Sequence, residues 1–400
     1  MAKSFKGFCM AERIIACRDS ASGGVRGVVL GWSAAGLLMF GVSAWAQGAL
    51  HAQSGPSTTS IASMASAPAP ATLRVVVPRI TGRLQAADIG LVINTADAYS
   101  VSVGQHYIAA RNLRPSQVLR VAIPTRGVLN RDEFEALQHS VEAHFGPTTH
   151  ALALAWAAPY AVECNAITGA LALGFDAALC SNSCAASRSS GYFNSPSTRP
   201  LFNPGWRPSM LLAARTVEQA KALIDRGVAA DGSLLRPNRE AVQALLLTTG
   251  DAARRVRMAF YPTAGLPPAM GVELRVAPAE VLPGAQRLLL AITGSTRVGL
   301  EPEPQWVPGG LGDHLTSFGA DLHGPHGQST VLDWIASGAT ASHGTVSEPC
   351  NHPQKFPHPL VLLFHYLQGS TAIEAYWKSV VWPQQSLFVG EPLAAPFARP

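Results

Sequence analysis

From Asp88 onward, short uncharged apolar runs alternate with segments of helical period, and this alternation constrains the fold more than any other feature of the chain. "DIGLVINT" (88–95) leads into the helical pattern of "DAYSVSVGQHYIAARN" (97–112). "QVLRVAIP" (117–124) is a second apolar run, closed by a proline. "NRDEFEALQHSVEAHFG" (130–146) opens on Asn130 with Glu133 three residues later, a capping-box pairing, and stops at Gly146. "HALALAWA" (150–157) is a third apolar run. Strands covered on both faces carry continuous rather than alternating apolar residues, and runs spaced by one helix build βαβ units. The expectation is an α/β fold, a mostly parallel sheet with helices on both faces.

The pattern breaks between Tyr160 and Pro208, where Cys, Ser, Asn, Gly and Pro dominate, and then resumes. An excursion this long inside a compact domain is functional, pinned by disulfides, or both. Beyond it, "SMLLAART", "AVQALLLTT", "GVELRVAP", "QRLLLAIT" and "ATASHGTV" read as strands. "TVEQAKALIDRGVAA", "AARRVRMAFYP", "STVLDWIASG", "HPLVLLFHYLQG" and "TAIEAYWKSV" read as helices, and "QSLFVGEPL" closes the chain. One domain over 73–400 is expected, with 73–208 and 209–400 as possible subdomains; no internal repeat is evident.

The N-terminus follows a different logic. The first 26 residues hold Lys3, Lys6, Arg13, Arg18 and Arg26 against Glu12 and Asp19, a net +3. An uncharged apolar run from Gly27 then ends in Ala44-Trp45-Ala46. This is the anatomy of an export signal over residues 1–46, with an uncleaved anchor as the alternative. The Ser/Ala/Pro-rich stretch 47–72 reads as a flexible tether. A periplasmic or secreted protein with no membrane span in the mature chain is expected. Without the signal, the net charge of +5 falls to about +2, and no basic run remains, which argues against nucleic acid as a partner.

Four cysteines lie beyond the signal: Cys164, Cys180, Cys184 and Cys350. An even number in an exported chain favours two disulfides, one within 164–184 and one reaching Cys350. "SHGTVSEPCNHPQKFPHP" (342–359) is expected to be a rigid loop running into the helix that follows. Its prolines cannot extend a sheet, and Pro359 suits a first helical turn. A nucleophilic Cys350 remains the alternative, with a histidine as base and Glu348 to orient it.

Seven of the twelve histidines lie between residues 314 and 365. Cys350-x-His352 and His358-x6-His365 match no zinc spacing, so no metal is expected. "TTGDAA" and "PGGLGDH" match neither a P-loop nor a dinucleotide fingerprint, so no cofactor is expected. "GDHLTSFG" (312–319) is the most site-like segment, read as a glycine-bracketed turn at the C-terminal edge of the sheet, where α/β sheets take ligands. It supplies Asp313, His314 and Ser317, which with Glu348 form the candidate catalytic or binding set. Glu374 and Glu391 read as buried carboxylates serving backbone amides near turns.

"LVINTADAYSVSVGQHYIAARNL", "GDHLTSFGADL", "WIASGATASHGTVSEPCNHPQKFPHPLVLLFHYLQG", "TAIEAYWKSVVWP" and "LFVGEPL" resemble a family of exported bacterial proteins of unknown function across most of residues 88–400. The C-terminal half also resembles gingipain-like cysteine peptidases, which implies a caspase-like fold there. In that family one strand ends in Gly-His-Gly and the next in Cys-Gly. The matching positions here are Thr293-Gly294-Ser295 and Thr316-Ser317, so the resemblance comes without the base and the nucleophile. The expected function is binding of a small molecule or protein partner by a non-peptidase relative. The alternative is a hydrolase using Ser317 or Cys350 with a histidine base.

Overall fold

The computed structural model describes residues 77–236, 239–263, 268–324 and 326–399; the expected export signal (1–46) and tether (47–72) lie outside them. β1 (Ile89–Asn94), α1 (Ala98–Arg111), β2 (Val118–Val121), β3 (Val128–Leu129), α2 (Arg131–His144) and β4 (Ala151–Leu154) follow the sequence pattern. Every residue of β1 and β4 is buried, as a doubly covered strand requires. Asp97 caps α1 by accepting from Tyr99 N, and Asn130 and Glu133 form the reciprocal capping box on α2.

The excursion is more ordered than its composition suggests. It holds β5 (Ala161–Val162), β6 (Asn165–Ala166), α3 (Ile167–Leu173) and α4 (Ala178–Ser181), and two disulfides pin it, Cys164–Cys180 and Cys184–Cys350. Both bridges fit an oxidising compartment. β7 (Ser209–Leu211), α5 (Val217–Ala230), β8 (Val242–Thr248), β9 (Val272–Pro278), β10 (Leu288–Gly294) and β11 (Trp306–Leu315) come next. α6 (Val331–Ala336), β12 (Ala341–Thr345), α7 (Pro359–Gln368), α8 (Ala372–Ser379) and β13 (Ser386–Gly390) complete the chain.

Ten strands make one sheet in the order β2-β1-β4-β7-β13-β12-β11-β10-β8-β9, and β3, β5 and β6 make a small second sheet. All pairings from β2 to β7 and from β12 to β9 are parallel. β13 runs antiparallel to β12 and touches β7 at one bridge, Val389 to Leu211. The fold is therefore α/β with a large, mostly parallel sheet. α1, α5 and α6 pack together on one face, and α7 packs on α8, which lies against β13. The larger apolar core runs from Val77 to Phe397, and a smaller one gathers Leu245, Leu247, Leu288 and Trp334. Among the described residues no helix is long and apolar enough to cross a membrane.

Two expectations need correction. "AARRVRMAFYP" is not an α-helix but a tight 3-10 segment over Arg255–Phe260, because Arg257 turns into the core to meet Asp313. "GDHLTSFG" is not a turn from its first glycine, since Gly312–Leu315 are the buried end of β11. Gly312 is required by packing rather than turning: a Cβ there would stand 2.4 Å from Cε3 of Trp334. Gly344 is a second position of close backbone approach, with a Cβ there falling 2.5 Å from the Gly319 carbonyl carbon.

Candidate functional site

β10, β11 and β12 lie side by side, with Thr293 level with His314 and Asp313 level with His343. Neighbouring residues on a strand point to opposite faces, so Asp313 and His314 part company at once. They cannot serve one reacting centre.

Asp313 is fully buried and ion-paired to Arg257, itself only 1% exposed. Arg257 also donates to the carbonyl of Thr293. The other Asp313 oxygen meets His343 Nδ1 at 3.2 Å, and His343 Nε2 meets Ser386 Oγ at 2.9 Å. Burial alone would raise the Asp313 carboxyl, but the Arg257 charge and the His343 contact hold it below the usual carboxylate range. Burial pushes His343 down despite that carboxylate. Asp313, His343 and Ser386 have the residue types and order of a nucleophilic triad. All three are sealed from solvent, and Ser386 Oγ donates to the carbonyl of Lys355. Substrate has no path to them, and Arg257 already occupies the carboxylate; the network ties three strands together.

His314, on the other face, is equally buried. Trp334 Nε1 donates to its Nδ1 at 2.9 Å, which leaves the proton on Nε2 to be donated to the Ser329 carbonyl, also at 2.9 Å. The ring is thus a neutral packing element whose pKa burial lowers to about 4. Ser317 is half-buried and held through its carbonyl, which accepts from Thr345 Oγ1 at 2.9 Å. Among the described residues no histidine reaches its hydroxyl. Glu348 accepts from Cys350 N at 2.8 Å, so it shapes the turn that presents the cysteine to Cys184. The four sequence candidates do not converge. Glu374 serves backbone amides as expected, accepting from Leu84 N and Thr371 N, whereas Glu391 departs from that reading by binding Arg111.

The groups that do converge lie just beyond β11. Tyr160, following β4, donates to Asp321 at 2.6 Å, and His326 meets the other Asp321 oxygen at 2.6 Å. Burial would raise the Asp321 carboxyl, but these two bonds outweigh it and hold it low. Arg215, following β7, pairs with Asp333 in the first turn of α6 at 2.7 Å. Between these pairs opens a cleft of about 430 Å³, lined by Ala214, Arg215, Asp321, Gln328, Thr330 and Asp333 among others. Thr316 Oγ1 donates to Gln328 and accepts from Arg254, so the end of β11 sets the cleft wall. Of these side chains the sequence reading singled out only Thr316, as one of the positions matching the peptidase nucleophile. Thr330 and Asp333 also carried a readable signal, the capping box that opens α6.

Among the described residues no three His, Cys, Asp or Glu side chains are grouped to hold a metal ion. No protein-family model matches the chain, and neither a curated protein nor a solved structure is significantly similar to it.

Proposed function

We propose that this is an exported, periplasmic or secreted binding protein, a non-peptidase relative of caspase-like peptidases that takes a polar small molecule or a peptide segment in the Asp321–Asp333 cleft. One observation carries the reading: the exposed polar groups at the sheet edge are fixed in ion pairs around an open volume, while the nucleophiles are not placed for chemistry. Cys350 Sγ is bonded to Cys184, and among the described residues no histidine reaches the Ser317 hydroxyl. The cleft pairs one cation and two carboxylates, with Gln328 and Thr330 between them, which suits a ligand offering both donors and acceptors. The caspase-like part of the reading rests on the adjacent, parallel β10 and β11, whose ends carry Thr293-Gly294 and Thr316-Ser317.

The test is chemical labelling combined with ligand screening. A fluorophosphonate and an iodoacetamide probe, applied to the full chain without reductant, should leave Ser317 and Cys350 unmodified. A thermal-shift screen of short peptides and small polar metabolites should give hits that Asp321→Asn and Asp333→Asn weaken. Stoichiometric labelling of Ser317 or Cys350 would instead establish the hydrolase alternative.

A further inference from the structure

A second polar pocket, sharing no lining residue with the cleft, lies where the first described residues meet the C-terminal segment. It encloses about 440 Å³ and is walled by Arg79, Arg83 and Arg399 with Thr81, Gln85 and Gln368. Among the described residues no acidic side chain lines it. Among the described residues none of the three arginines has a carboxylate in ion-pair range. Arg79 is oriented along the wall by donating to the Phe397 carbonyl. Arg83 Nε is buried without a partner, a donor turned away from water and left unused.

We infer that this pocket binds an oxyanion, the phosphate or carboxylate group of a small organic molecule. Three guanidinium groups around an acid-free cavity present donors in the planar forks that match such groups, and a bound anion would remove both the charge repulsion and the orphaned donor. Burial and the nearby charge of Arg399 make Arg79 easier to deprotonate than usual, as like charges facing one another without a counter-ion should. The volume of about 440 Å³ leaves room beside the oxyanion for the rest of a small organic molecule.

Isothermal titration of the full chain with inorganic phosphate and, separately, succinate at fixed ionic strength tests this. Saturable binding of at least one, with Kd below about 1 mM, is expected. Arg83→Gln and Arg399→Gln should each weaken it by roughly tenfold or more, about 1.4 kcal/mol. Arg399 is exposed, so its variant tests the pocket without risk to the fold, and Arg131→Gln on exposed α2 should change nothing. Preference for phosphate identifies phosphorylated ligands, and preference for succinate identifies carboxylates. Absence of saturable binding, or binding unaffected by both pocket variants, overturns the proposal.

Discussion

Replacing Arg257 by methionine should be among the most damaging single changes available in this protein. The substitution keeps the apolar stem and removes the charge, leaving Asp313, fully buried, without its counter-ion and the Thr293 carbonyl without a donor. Removing one partner of a buried ion pair costs about 3–5 kcal/mol, because the remaining charge stays desolvated. For a folded region of about 320 residues, an unfolding entropy of ~2.1 cal/mol/K per residue makes each kcal/mol worth roughly 1.5 °C, so a fall of about 5–8 °C is expected. Scanning calorimetry of Arg257→Met, Asp313→Leu and the double variant closes a mutant cycle. The double variant should lose less than the sum of the singles, with a coupling of about 2–3 kcal/mol. The pair also has a pH signature. The folded Asp313 carboxyl binds its proton less readily than in the unfolded chain, so its contribution is complete above the ordinary aspartate pKa and disappears as pH falls through the lowered folded value. Asp313→Leu should flatten that acid limb. Additive single variants, each costing less than about 1 kcal/mol, would refute the reasoning by showing that solvent reaches the pair.

Two further outcomes follow from the same geometry. His314→Ala should lower stability by about 2–4 kcal/mol in urea titrations, since it opens a void and strands the Trp334 N–H and the Ser329 carbonyl; a neutral result would mean the ring is solvated. With a folded pKa near 4, His314 is neutral in the native state but charges in the unfolded chain, so wild-type stability should decline as pH drops from about 6.5 towards 4, less steeply in His314→Gln. Cys350→Ser should cost about 2–5 kcal/mol, because the Cys184–Cys350 bridge spans a sequence separation of 166, and thiol titration of the unfolded variant should find one more free cysteine than the unreduced wild type, Cys184.

Most of the fold was legible because its signals are local. Asn130 with Glu133, Pro359 at the start of α7 and the unbroken apolar runs of β1 and β4 each declare their element within a few residues. The odd content of the excursion, with its cysteines, pointed correctly to disulfides. What escaped was everything that depends on which face a residue takes. Asp313 and His314 look like partners in sequence and are separated by the sheet itself. Arg257 sits in a segment of helical composition, yet a carboxylate 56 residues away draws it inward. The cleft is assembled from side chains following three different strands, so no short window of sequence contains it.

The position of β13 has a consequence for how this chain can be made. It is the last strand in sequence but stands fifth in a row of ten, between β7 and β12. Until residues 386–390 are in place, the four strands from β2 to β7 and the five from β12 to β9 are separate half-sheets. Each then presents a raw interior edge of unpaired amides and carbonyls, β7 on one half and β12 on the other. Cooperative closure therefore waits for the C-terminal segment. It also makes loss of the final fifteen residues a failure of the whole sheet rather than a trimmed end.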